Sequence, residues 1–173
     1  MKRARDVIGL PIVAINTGKQ LGTVRDLIVD ERRELTGIVT DTKIWYASSR
    51  YIPVDGIVAF GADAVTVQSE EAVEPYEEPM DGMTLVSGKK KMKDLPLITV
   101  NGHQLGRIED VYFEENLGKK IIGYELSDGF ISDVMEGRKW LPAPESATIG
   151  EDAMIVPVHC EQELREIITP TDE

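Results

Sequence analysis

GKQLGTVRDLIVD, residues 18–30, returns 84 positions later as GHQLGRIEDVYFE, residues 102–114. Gly, Gln, Leu, Gly and Asp recur at identical spacing, and Val24 and Ile108 are equivalents between them. The echo spreads outward from there. LPIVAIN, 10–16, pairs with LPLITVN, 95–101, and TGIV with IGYE, placing Gly37 against Gly123. IPVDGIVAFGADAVTV, 52–67, pairs with LPAPESATIGEDAMIV, 141–156. The offset between copies drifts along the chain, which places small insertions in loops. Two copies are too few and too long for a solenoid, so the pattern predicts two tandem domains built on one unit.

Within each unit the residues read as short strands separated by turns. In copy one the strands are expected at Ile12–Ile15, Gly22–Asp30, Leu35–Asp41, Lys43–Tyr46, Tyr51–Pro53 and Ala64–Gln68. In copy two they are expected at Leu97–Val100, Gly106–Glu114, Lys120–Leu126, Lys139–Leu141 and Ala153–Val158. NTGKQ and NGHQ are turn chemistry, because Asn and Gly accept positive φ at low cost. In the long second strand the apolar residues change face. Val24 lies on one face while Leu27 and Val29 lie on the other, and Ile108, Val111 and Phe113 repeat the switch. A regular strand keeps one apolar face, so a bulge or sharp coil is expected near Asp26 and Asp110, as closure of a small barrel requires. The two aspartates are then read as acceptors for backbone donors at the bulge or a neighbouring turn. VDGIVAFG and PESATIG leave room for a short turn of helix before the last strand. CEQELREII, 160–168, sets Leu164, Ile167 and Ile168 on one helical side and predicts a short C-terminal helix. The fold class is all-β: two tandem small barrels.

The domain plan is a first barrel over 1–69, an acidic, Pro-containing linker over 70–87, and a second barrel with the short helix over 88–173. The stretch 69–83 carries six acids, two prolines and no base, so it is expected to be extended. GKKKMK, 88–93, follows as a solvated approach to the second copy.

The order, spacing and duplication of several features resemble the PRC-barrel family. These are DVIG or MKDL before the first strand, G-x-Q-L-G-x-[VI]-x-D, a Gly in the third strand, [IL]-P near the end, and a closing G-x-D-A-x-x-V. The resemblance covers residues about 3–68 and 91–158. It is similar to the cytoplasmic domain of the photosynthetic reaction-centre H subunit and to the C-terminal domain of a ribosome maturation factor. It implies six-stranded barrels that serve as docking modules, with no catalytic residues to carry across. No run in this sequence matches the transmembrane helix of the former, and a second barrel is expected where the latter has a separate N-terminal domain.

Charge and composition narrow the function. The net charge is −12 and both halves are acidic, which argues against a nucleic-acid face and fits a basic protein partner or solubility alone. Cys160 is the only cysteine, so no intrachain disulfide forms. MKRARDVIGLPIVAINTG imitates a signal peptide, but its apolar part recurs in mid-chain as LPLITVN. No run reaches the roughly 20 apolar residues of a membrane span, and a cytoplasmic protein is expected. Zinc-ligand spacing, Walker-A, G-x-S-x-G and dinucleotide fingerprints are absent. His159 and Cys160 are adjacent, and on a strand they would face opposite ways. No enzyme, cofactor, catalytic residue or metal site is expected.

The copies diverge most in TDTKIWYASSRY, 40–51, and SDGFISDVMEGRKW, 127–140. Trp45, Tyr46, Arg50, Phe130, Ile131, Val134, Met135, Arg138 and Trp140 gather there, residue types favoured at binding hot spots. The competing reading is that they cap the barrels. The expectation is a non-catalytic protein-binding or scaffold module, with self-association through the same loops as a variant. An RNA-linked assembly factor, supported by KKKMK alone, and a small-ligand barrel are the alternatives.

Overall fold

The structure, a computed structural model, describes residues 2–41, 50–76, 82–88, 90–114, 120–127 and 138–166. Strands dominate, with two short α-helices among the described residues. The chain divides into two compact units: 1–91 together with Phe113–Ile121, and Met92–Tyr112 together with 122–173.

The first unit opens with β1 (Lys2–Arg3) and α1 (Ala4–Val7), one helical turn that sequence patterning did not reveal. β2 (Pro11–Ala14), β3 (Gln20–Val29), β4 (Leu35–Asp41) and β5 (Arg50–Pro53) follow as antiparallel neighbours. A 3-10 turn at Val54–Gly56 leads into β6 (Ile57–Phe60) and β7 (Val65–Val67). A second such turn at Glu70–Ala72 leads into β8 (Glu74–Pro75), and β9 (Met83–Thr84) comes last. The sheet order is β6-β7-β2-β3-β4-β5-β8, with β9 added to β3. β7 lies parallel to β2, Ile12 opposite Val65 and Ala14 opposite Val67, so the ends of the repeat are stitched together.

Alternation explains the core. Ile12, Val24, Leu27, Ile38, Ile52, Val65 and Val67 are buried on one side of their strands. Each such side chain contributes about 1.5–3 kcal/mol by leaving water. The expected irregularity in β3 is present. Val24 faces Thr40 and Asp26 faces Val39, so Arg25 is an extra residue in the ladder. Beyond that bulge Asp26, Leu27, Ile28 and Val29 are all buried. The strand has turned far enough to be covered on both sides.

The second sheet repeats the plan. β10 (Pro96–Thr99), β11 (Gln104–Phe113), β12 (Ile121–Ser127), β13 (Lys139–Pro142), β14 (Thr148–Ile149) and β15 (Met154–Val156) lead to α2 (Cys160–Glu163) and β16 (Arg165–Glu166). Their order is β14-β15-β10-β11-β12-β13-β16, with β15 parallel to β10. The terminal helix is shorter than its apolar spacing implies. It ends at Glu163, Leu164 is extended, and Arg165–Glu166 pair with β13 as a strand. Backbone pairing with a sheet edge outweighs the weak preference of so short a segment for helix.

A turn before the first long hairpin is shared by both units. Gly9, at φ 94°, donates its N–H to Val24 O at 2.7 Å, and Asp94, at φ 70°, donates to Ile108 O at 2.7 Å. Copy one meets the left-handed geometry with glycine, whereas copy two uses an aspartate there.

Much of 70–87 is folded onto the first unit. β8 pairs with β5, Tyr51 opposite Glu74, and β9 pairs with β3, Val29 opposite Met83.

Candidate functional site

The insertion after β4 and the one after β12 leave their barrels at equivalent places. Each is followed by a strand that returns alongside, Thr40 opposite Arg50 and Leu126 opposite Lys139. Trp45, Tyr46, Phe130, Ile131, Val134 and Met135 lie outside the described residues. Arg50, Arg138 and Trp140 stand at the feet of the insertions.

Arg50 is exposed at the start of β5. Its neighbour Tyr51 is buried, and its hydroxyl donates to Thr36 O at 3.0 Å. The Tyr51 ring lies against Gly37, so closely that a Cβ there would strike the ring and Ile52 O. Burial pushes the Tyr51 phenol pKa above its ordinary value, with Glu74 and Asp55 adding to the rise and the Thr36 bond opposing it.

Trp140 does in the second unit what Tyr51 does in the first. Its indole covers Gly123, where an added Cβ would sit 2.6 Å from ring atoms. The indole Nε1 is buried and has no hydrogen-bond partner among the described residues, an uncommon state for a donor. Arg138 turns toward the barrel. Its guanidinium is 3.8 Å from Glu109 and 3.7 Å from Glu125, whose carboxylate is only 2% exposed. Ser127 Oγ lies 3.4 Å from Glu109. The corresponding rung of the first unit holds Val39 in place of Glu125, packed with Ile28, Tyr51 and Tyr76. The second insertion therefore springs from a base with a buried carboxylate, whereas the ion pair at the foot of the first, Arg25 with Asp41 at 3.9 Å, is exposed.

The two aspartates of the repeated motif are structural acceptors. Asp26 is fully buried. Its carboxylate accepts from the N–H groups of Leu27 at 2.8 Å, Leu85 at 3.0 Å, Val86 at 3.1 Å and Ser87 at 2.9 Å, and from Ser87 Oγ at 2.5 Å. A carboxylate offers about four lone-pair sites, so these donors fill it. Asp110 accepts from Val111 N–H at 2.9 Å. The partner segment 85–87 was not legible as such, because nothing in its composition marks it as ligand to a strand sixty residues back.

His159 and Cys160 are not on a strand, and the geometric reason for separating them disappears. β15 ends at Val156, and α2 begins at Cys160 with His159 in helical conformation. On that turn His159, Cys160 and Glu163 bring one donor atom each within 4.8 Å of one another. His103 is paired apart from them, with Glu161 at 2.8 Å.

Twin strand-built units, whose recurring polar residues serve the backbone, define a class of small tandem β-barrel proteins. Comparison with known proteins makes this specific. The PRC-barrel domain family matches residues 1–73 and again 87–162, and the chain belongs to that family. It is also similar to the uncharacterized protein YrrD of Bacillus subtilis strain 168, 27% identical over 150 residues, covering 84% of this chain and 81% of that one. Among the described residues no helix is long and apolar enough to cross a membrane.

Proposed function

We propose that this tandem PRC-barrel protein is a non-catalytic docking scaffold that binds a protein partner through the loops 45–51 and 130–140. The supporting observation is the division of labour within the repeat. The glycines, aspartates and apolar rungs common to both copies are spent on closing the barrels. Trp45, Tyr46 and Phe130 lie where the copies diverge in sequence, outside the residues they share. The acidic surface draws a basic partner, and the aromatic side chains supply the buried contact. Self-association through the same insertions is the homotypic form of this reading.

Tagged protein is used to recover partners from native lysate at low and high salt. A Trp45→Ala, Phe130→Ala variant is carried alongside. Trp140 is left in place because it also covers Gly123. A stoichiometric protein retained by the parent and lost by the variant is the expected result. Equal retention by both rejects these loops as the docking face. RNA that elutes as salt rises transfers the function to the assembly-factor class.

A further inference from the structure

The Cys160 side chain is set into the core, and the His159 imidazole and Glu163 carboxylate come close to its sulfur on α2. We propose that His159, Cys160 and Glu163 form a three-ligand site for a borderline transition-metal dication of the zinc type. Three kinds of observation point there. The first is convergence. A single helical turn brings residue i+4 back beside residue i, and Glu163 Oε1 stands 3.8 Å from His159 Nε2. The Cys160 sulfur completes a triangle no wider than 4.8 Å on any side.

The second is donor chemistry. One nitrogen, one sulfur and one oxygen suit zinc or cobalt, whereas calcium and magnesium require oxygen alone. Zinc binds these atoms at about 2.0–2.3 Å, which sets tetrahedral donors roughly 3.3–3.7 Å apart, so the widest side of the triangle must close by up to about an ångström. The fourth position stays open to water.

The third is setting. His159 and Glu163 are 61% and 43% exposed and free to adjust, while Cys160 is a fully buried anchor. On binding, the sulfur–hydrogen bond breaks, the sulfur–metal bond forms, and the proton passes to solvent. α2 immediately precedes β16, which pairs with β13. All three donors come from this one turn, so a metal there would stiffen the turn that leads into that pairing.

The test uses the full chain, free of any affinity tag. Titration with Co2+ is expected to give one equivalent of binding and a near-ultraviolet sulfur-to-cobalt charge-transfer band. Zn2+ is expected to displace the cobalt and raise Tm, while Ca2+ and Mg2+ do neither. Cys160→Ser removes the band. His159→Asn, a change at an exposed side chain, decides the matter if the serine variant folds poorly. Because loss of a mere supporting contact costs a metal site about 10–100-fold, loss of this ligand should weaken Zn2+ binding by at least about tenfold. His103→Asn leaves binding unchanged. A missing sulfur band overturns the proposal, and so does Zn2+ affinity that is equal in the parent and His159→Asn proteins.

Discussion

At one rung the first barrel places Val39 and the second places Glu125, and both side chains are buried. Around Val39 lie Ile28, Tyr51 and Tyr76, and around Glu125 lie Arg138 and, through it, Glu109. The same backbone thus supports a dry rung and a charged one. The difference teaches that the PRC frame is fixed by a few backbone-serving residues. Chemistry on the rungs next to the insertions is free to diverge, provided the neighbours diverge together.

Exchanging the rungs breaks this comparison most severely. Val39→Glu buries a carboxylate among apolar and tyrosyl side chains and is expected to cost about 4 kcal/mol or more. Glu125→Val is expected to change stability by about 1 kcal/mol or less, since Arg138 is one-third exposed and can turn to water. Urea unfolding of the two variants checks both numbers. A comparable loss in each would mean that Glu125 is as structural as Val39.

Next in size is Asp26→Ala. It strips the acceptor from four N–H groups and a hydroxyl, and a loss of about 3 kcal/mol is expected. Hydrogen exchange should show amide protection at Leu85 to Ser87 falling first. Unchanged exchange there would show that β9 holds the segment without the carboxylate.

A smaller contrast lies between Tyr51 and Trp140, which cover equivalent glycines. Only the phenol ionises. Its pKa is raised on folding, so its contribution is complete below the unfolded value of 10.0 and is lost as pH climbs through the higher folded value. The parent protein is expected to lose stability above about pH 10 more steeply than Tyr51→Phe, by denaturant midpoints across that range. Parallel curves would assign the alkaline loss to other groups.

The smallest effect belongs to the turn shared by Gly9 and Asp94. Asp94→Gly relieves the left-handed cost and is expected to add about 0.5 kcal/mol, while Gly9→Asp subtracts a similar amount. Midpoint shifts of opposite sign are the signature.

The longer strands were legible because apolar alternation and turn residues carry them. Predicted Leu35–Asp41 is β4 itself, and Gly22–Asp30 differs from β3 by a residue or two at each end. The bulge was legible too, from the change of face between Val24 and Leu27. β8, β9 and β16 were not, for each has two residues and exists only because a distant strand offers an edge. The same limit hid the convergence of His159 with Cys160. Adjacent residues point to opposite faces of a strand but only about 100° apart on a helical turn, and four residues of sequence do not choose between these. Of the candidate docking residues, the inward turn of Arg138 depends on Glu125. Only comparison of the two copies at that position hints at it.

The parallel pairing of β2 with β7 also orders events in time. Ile12 emerges early from a ribosome, yet its partner Val65 is made only near the end of the repeat, and the donors for Asp26 are made later still, at Leu85 to Ser87. With synthesis running at about 5–20 residues per second, β2 and β3 wait seconds with open edges. Closure cannot start as a local hairpin and spread, because the join is between opposite ends of the repeat. A nascent chain stalled before Val65 should therefore be open to protease, and one released beyond Ser87 should be closed.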